Sequence, residues 1–173
     1  MDKTQKVAAI LVANGVEDLE YFGPKMRLEE EGLKVITAGL KVGEVTGKNG
    51  LTIKATEKIE NLKADELDIL IIPGGWAPDK LRRDQGVKDL ITKMNDLKKP
   101  IAIICHGGLM AISAGIVKGK RATGSEGIKD DIINAGGTWV DEPAFREGNL
   151  IWGRVVADIP DFNREIIKAL NEK

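Results

Sequence analysis

The stretch from Lys99 to Gly115, KPIAIICHGGLMAISAG, constrains the fold more than any other part of the chain. Pro100 ends the helical pattern before it. Ile101 to Ile104 is an unbroken apolar run, of the kind needed by a parallel strand buried on both faces. Beyond Gly107 and Gly108, the residues Leu109, Met110, Ile112 and Ala114 recur at helical spacing. The one cysteine and the one histidine of the chain, Cys105 and His106, stand side by side on the turn between strand and helix. Such a turn lifts a side chain to the top of a sheet, against the unpaired N–H groups of the helix start. Those groups and the helix dipole favour negative charge, the condition under which a thiol becomes a thiolate near neutral pH. A lone cysteine is more often a small buried hydrophobe than a nucleophile. Glycines directly after it shift the balance, because they let substrate or backbone approach closely. Adjacency does not make Cys105 and His106 a dyad, since neighbouring side chains on a tight turn usually diverge.

The rest of the chain reads as alternating strands and helices. Lys6 to Ala13 is a buried strand that ends in a loop at Asn14-Gly15. The following segment, VEDLEYFGPKMRLEEEG, carries a helical stripe at Leu19, Phe22, Met26 and Leu28, with a kink or split at Gly23-Pro24 and a stop at Gly32. Lys34 to Ala38 is a second strand. Residues 44–54 form a β-hairpin with Asn49-Gly50 as its turn signal. Ile59 to Leu67 is an irregular or briefly helical connection, and Asp68 to Ile72 is a strand closed by Pro73-Gly74-Gly75. Asp79 to Lys98 is helical with a break near Gly86. After the cysteine strand, Lys120 to Thr123 is a strand. Gly127 to Ala135 is a helix with Ile128, Ile132 and Ile133 on one side. Short strands follow at Thr138–Val140, Ala144–Glu147 and Leu150–Gly153, with Gly148-Asn149 as a hairpin turn. Pro160 to Asn171 is a closing helix with Phe162, Ile166, Ile167 and Leu170 in phase.

This order is that of a parallel α/β sandwich, and 173 residues make one domain, 1–173, with a sizeable core. In such sheets the site lies beyond the carboxyl ends of the strands. Three strands end in unusual loops: Asn14-Gly15-Val16-Glu17, Pro73-Gly74-Gly75-Trp76 and Cys105-His106-Gly107. If the strands are parallel, all three loops meet at one edge.

Charge narrows the partners. With 31% charged residues and a net charge of −1, the chain has no electrostatic bias toward nucleic acid or an anionic membrane. One cysteine excludes an internal disulfide and fits a reducing compartment, so the expected location is cytoplasmic. A zinc site would have to take most of its ligands from carboxylates, which argues against a metal. MDKTQK enters a strand too short for a signal sequence.

Glu17, Asp18 and Glu20 follow the first strand, where carboxylates ordinarily complement a helix dipole. Glu17 and Glu20 are three apart and share one helical face, and a face at the carboxyl end of the sheet can look toward Cys105. An ionised carboxylate beside the thiol would raise its pKa, whereas a protonated one would donate a hydrogen bond to the thiolate and lower it. Gly74 and Gly75 leave backbone N–H groups free to meet a developing oxyanion. Trp76 is a candidate pocket wall or subunit contact. Asp79 and Asp130 are candidate carboxylates for orienting His106.

Assembled, these motifs resemble the PfpI intracellular protease family of the ThiJ/PfpI superfamily. The resemblance runs through VANGVEDLEYFGPKMRLEEEG, EVTGKNG, DILIIPGGWAPDKLR, KPIAIICHGG, GIKDDIINAGGTWVDE and DFNREI, nearly the whole chain. It implies a flavodoxin-like three-layer sandwich related to class I glutamine amidotransferases, with a mostly parallel sheet, helices on both faces and a small β-hairpin. It places the nucleophile at Cys105 on a strained elbow and its hydrogen-bonding carboxylate at Glu20. Glu17 is a second acid in the pocket. The oxyanion amides fall on Gly75 and His106, and Gly74, Gly107 and Trp76 join the binding residues. In the protease branch the histidine is paired with an acid from a neighbouring subunit, which falls on Asp79. Members of this family are typically homodimers, some of them hexamers. Four positions depart from the pattern: Gly108 replaces a proline, Asp79 a glutamate and Trp76 an arginine, and an aromatic residue near Ser125 is absent.

The expectation is a cofactor-independent cysteine enzyme, active in stress protection on a small carbonyl compound or a peptide. Carbonyl chemistry of the glyoxalase or deglycase type is favoured over proteolysis, which needs a histidine aimed at the sulfur and an extended groove. The alternatives are a redox sensor or stress chaperone that uses oxidation of Cys105, and a nucleotide-binding module. The last is disfavoured because no glycine-rich phosphate fingerprint follows the first strand.

Overall fold

The computed structural model describes residues 5–172. The beginning of the MDKTQK segment, through residue 4, lies outside them. The elements in chain order are β1 (Val7–Leu11), α1 (Asp18–Glu30), β2 (Lys34–Gly39), β3 (Gly43–Thr46), β4 (Thr52–Ala55), β5 (Glu57–Lys58), β6 (Ile69–Ile72), α2 (Ala77–Leu81), α3 (Gln85–Asp96), β7 (Ile101–Ile104), α4 (Gly108–Ser113), β8 (Arg121–Ala122), α5 (Lys129–Asn134), β9 (Thr138–Trp139), β10 (Ala144–Glu147), β11 (Leu150–Gly153) and α6 (Ile159–Asn171).

Seven strands form one sheet in the order β10-β11-β7-β6-β1-β2-β5. Every neighbouring pair is parallel except β10 with β11. The central strands β6, β7 and β11 are buried at every residue, which is why their sequences are continuous apolar runs rather than alternations. Burying each such side chain contributes roughly 1.5–3 kcal/mol before chain entropy is counted. Helices α1 and α6 pack together on β1, β2, β10 and β11, while α3 and α4 cover β7, with α2 and α5 against α4. The result is a three-layer α/β sandwich. The hairpin β3–β4 stands outside the main sheet, and β8 and β9 form a small parallel pair of their own.

Because β7, β6 and β1 are parallel neighbours, their carboxyl ends lie in a row, and the three loops meet there. Val16 and Gly75 form an isolated bridge. Trp76 N–H donates to the Gly15 carbonyl at 2.7 Å and Glu17 N–H to the Gly74 carbonyl at 3.1 Å.

The readings of α1 and α5 are corrected. Helix α1 is not split at Gly23-Pro24; it runs unbroken with Pro24 inside it and buried. Its inward face is Glu20, Tyr21, Pro24 and Leu28, while Leu19 and Met26 are 52% and 64% exposed. The phase is set by polar groups: Tyr21 Oη pairs with Thr37 Oγ1 at 2.7 Å, and Glu20 points into the protein. On α5, Ile132 packs with Ile128 in the core, but Ile133 is exposed. The helix break expected near Gly86 lies just before it, between α2 and α3, where the Asp84 carboxylate accepts from Val87 N–H and starts α3.

Candidate active site

Cys105 opens a one-turn 3-10 segment, Cys105–Gly107, that joins β7 to α4. Its φ is +57°, a left-handed conformation that costs a non-glycine residue roughly 1–2 kcal/mol. The surroundings leave the backbone no easier path. A Cβ at Gly107 would lie 2.5 Å from the Ile72 carbonyl oxygen, and one at Gly124 would lie 2.7 Å from the Cys105 carbonyl oxygen. The chain therefore turns sharply and lifts a half-buried sulfur above the end of β7. His106 Nδ1 is 3.3 Å from Sγ, and the amides of His106 and Gly75 donate to the sulfur. The divergence usual for neighbours on a tight turn does not occur here. The strained backbone at Cys105 brings the two side chains to the same side.

Glu20 reaches this sulfur from α1. It is wholly buried. Its Oε2 accepts from Gly74 N–H at 2.7 Å, and Oε1 has no nitrogen or oxygen partner. The carboxyl interacts with the Cys105 thiol. Burial pushes Glu20 up to about 7, against the Gly74 amide, which holds it down. Burial, and then the negative charge of Glu20, push the Cys105 thiol up to about 12, against the His106 and Gly75 amides. Contrary to the reading from the sequence, the helix start alone does not yield a thiolate. α4 is only six residues long, and desolvation outweighs it. The proton on Glu20 governs the second of the two causes. Once Glu20 is protonated, its repulsion is gone and its O–H becomes a donor to sulfur.

The hairpin turn closes over this edge. The amides of Asn49 and Leu51 donate to Asp18 at 2.7 and 2.9 Å. Against the cost of burial, these bonds hold the Asp18 carboxyl below its ordinary range. Asp18 is thus a clamp on the hairpin rather than a helix-start charge. Glu17, also buried, accepts from Asn49 Nδ2 at 3.0 Å and lies 3.7 Å from Lys48 Nζ. Lys48 Nζ sits 5.9 Å from the centre of the Trp76 ring, which is 63% exposed at the mouth. The His106 imidazole is held below its ordinary value by burial and by Lys48, with Asp131 pulling the other way. Neither Lys48 nor Asp131 was singled out in the sequence. Nothing in the local pattern of TGKNG or KDD ties them to a cysteine far along the chain.

Several expected residues sit elsewhere or act otherwise. The Gly74 N–H is taken by Glu20, so of the two loop glycines only Gly75 presents an amide to the sulfur. Gly107 is buried against the end of β6 and packs rather than lining the cleft. Asp79 is exposed on α2, paired with Arg83, and Asp130 is exposed on α5. Among the described residues no carboxylate hydrogen-bonds His106 within the chain. A cavity of about 680 Å³ lined by Lys98, Lys120, Arg146 and Glu172 lies at the opposite, amino end of the sheet and contains none of these groups. No helix among the described residues is long and apolar enough to cross a membrane.

Comparison with known proteins agrees with this fold. The chain is 43% identical over 161 residues to a deglycase of Pyrococcus abyssi, covering 93% of this chain and 97% of the relative. It is 40% identical over 160 residues to the deglycase PfpI of Pyrococcus furiosus, with 92% and 96% covered. It is 38% identical over 166 residues to a Bacillus subtilis protein named "Putative cysteine protease YraA", with 95% and 98% covered. Among solved structures, it superposes with a TM-score of 0.94 and 34% identity on a two-domain protein from Anabaena variabilis that joins a DJ-1/ThiJ/PfpI-like domain to a ferritin-like one. It covers 96% of this chain and 48% of that longer one. Drosophila melanogaster DJ-1beta gives a TM-score of 0.91 at 25% identity, with 98% and 92% covered. Residues 6–169 match the DJ-1/PfpI family, and with relatives this similar over nearly their whole length, the chain belongs to that family.

Proposed function

We propose that this protein is a cysteine-nucleophile enzyme acting on small carbonyl compounds, of the glyoxalase or deglycase type, in a reducing cytoplasmic compartment and in protection against carbonyl stress. The observation that carries the reading is the environment of one sulfur. Cys105 Sγ has His106 Nδ1 at 3.3 Å, two amide donors and a buried carboxyl at its side. In the reactive state Glu20 holds the proton and donates it in a hydrogen bond to the thiolate. The thiolate adds to the aldehyde carbon of an α-oxoaldehyde such as methylglyoxal. A C–S bond forms, the carbonyl π pair moves onto oxygen, and that oxygen takes a proton from water. His106, neutral because its pKa is held down, removes the proton from the hemithioacetal carbon, and the electron pair moves through the new C=C bond onto the neighbouring ketone oxygen. The hydroxyl proton passes to that oxygen, and His106 returns its proton to the neighbouring carbon. This converts the adduct to a thioester. Water hydrolyses the thioester, freeing lactate and Cys105. The amides of Gly75 and His106 are placed to bind the developing oxyanion. A carbonyl adduct on an amine offers the same electrophile, and the similarity to deglycases supports that substrate class.

Peptide hydrolysis is the second reading. The histidine aimed at the sulfur meets one of its two requirements, and similarity to the Bacillus subtilis protein supports it. In that reaction Asp79 of a second copy would orient His106. The deciding experiment is lactate formation from methylglyoxal by purified, metal-free protein beside a Cys105→Ala control. Repeated turnover that is lost in the control is expected. No turnover in either protein would overturn the carbonyl reading and leave the peptidase and the redox sensor.

A further inference from the structure

Lys48 is the cation whose charge reaches both Glu20 and His106, yet it comes from an element outside the main sheet. Its position is set by backbone, not by chance extension of a long side chain. Lys48 N–H donates to the Val16 carbonyl at 2.7 Å, and the next residue, Asn49, is tied to Asp18 and Glu17. The turn cannot hold this shape with a side chain at position 47, because a Cβ there would collide with the Asp18 carboxylate. The ammonium stands between Glu17 Oε2 at 3.7 Å and the face of Trp76 at 5.9 Å, and its side chain is 41% exposed. At 3.7 Å the Glu17 contact is longer than a direct charge-assisted hydrogen bond, and the other Glu17 oxygen is engaged by Asn49. N–H donors of Lys48 are therefore open beside the exposed Trp76 ring, with the Glu17 carboxylate behind them. An anionic reactant would be repelled by the Glu17 carboxylate and by the thiolate unless a cation received it.

We infer that Lys48, flanked by Trp76, forms an anion subsite at the mouth of the cleft, and that Cys105 acts preferentially on carbonyl compounds carrying a carboxylate near the reacting carbon. Adducts on the amino group of a free amino acid are of this kind. The inference deepens the proposed carbonyl chemistry and rests on Cys105 being the nucleophile, but its test needs no turnover. The chain has a single cysteine, so alkylation reports on Cys105 alone. Iodoacetate and iodoacetamide differ by one charge. With either, the thiolate forms a C–S bond as the C–I bond breaks and iodide leaves. The ratio of the two rates cancels the thiolate population, so changes in the Glu20 or His106 proton equilibria do not enter it.

The wild-type ratio of iodoacetate to iodoacetamide rates should exceed that of free cysteine and should fall as salt is added. Lys48→Met should lower the ratio about tenfold, the low end of electrostatic focusing in a cleft. Lys48→Arg should keep it, and Glu17→Gln should raise it. An unchanged ratio in Lys48→Met, with iodoacetamide still reacting, would overturn the subsite alone. Failure of both reagents to alkylate wild-type Cys105 would overturn the nucleophile reading and this inference with it.

Discussion

The carboxyl of Glu20 is held by the Gly74 amide at 2.7 Å through one oxygen, and its other oxygen is buried without a nitrogen or oxygen partner. The two residues are 54 positions apart and belong to different elements. Their contact fixes the carboxyl at the one place where its proton controls the Cys105 sulfur.

Stability should therefore depend on pH through Glu20. Its pKa in the folded protein is about 7 against an ordinary 4.5, raised first by burial. The folded state binds this proton more tightly than the unfolded one, so the contribution is full below about pH 4.5 and is lost as pH rises to about 7. At about 1.4 kcal/mol per pH unit the loss is on the order of 3 kcal/mol. Urea unfolding across this range should show that decline in wild type and its absence in Glu20→Gln. The same decline should persist in Cys105→Ala, because burial is the leading cause.

Reactivity should follow the donor rather than the charge. A hydrogen bond to an ionised group is worth about 1.5–3 kcal/mol, so Glu20→Leu should slow iodoacetamide alkylation of Cys105 at pH 7 roughly tenfold or more. Glu20→Gln keeps an N–H donor and should lose less. Equal rates in all three proteins would remove Glu20 from the activation of sulfur.

Gly74→Ala should be among the most damaging single-methyl changes in the chain. The added Cβ would stand 2.7 Å from Glu20 Oε2, 2.8 Å from Cys105 Cβ and 2.9 Å from His106 N. Overpacking of this kind costs typically ~1–3 kcal/mol. Here it should also displace the carboxyl, so that alkylation slows even in the folded fraction. Stopped-flow alkylation combined with a melting curve separates the two effects.

The elbow strain should be measurable. At φ +57°, Cys105→Gly should be more stable than Cys105→Ala by about 1 kcal/mol, since glycine takes this conformation without steric penalty. Parallel urea titrations of the two variants test it.

If Asp79 of a second copy orients His106, then Asp79→Ala and Cys105→Ala chains, each inactive alone, should regain part of the wild-type turnover when mixed. Turnover measured after labelled subunits have been shown to exchange decides this. No recovery would place Asp79 outside the reaction, where its pairing with Arg83 already occupies it within one chain.

The sequence by itself determined the sheet and the position of its reactive edge. Continuous apolar runs such as Ile69–Ile72 and Ile101–Ile104 have one stable use, as parallel strands covered on both faces. The glycines after them mark where the backbone must pass closely. β8 and β9 fall inside the strands read at Lys120–Thr123 and Thr138–Val140, whereas β5, two residues long, carries no period and was not legible. The inward face of α1 was not legible either, because it is chosen by Tyr21 meeting Thr37 and Glu20 meeting Gly74 rather than by the apolar residues, two of which stay in water. Only the tertiary structure decided which way His106 turns, which loop amide is spent on Glu20 and which reaches the sulfur. It alone brought Lys48 to the cleft mouth. Those outcomes depend on a strained dihedral and on contacts between residues distant in sequence, and neither leaves a trace in local composition.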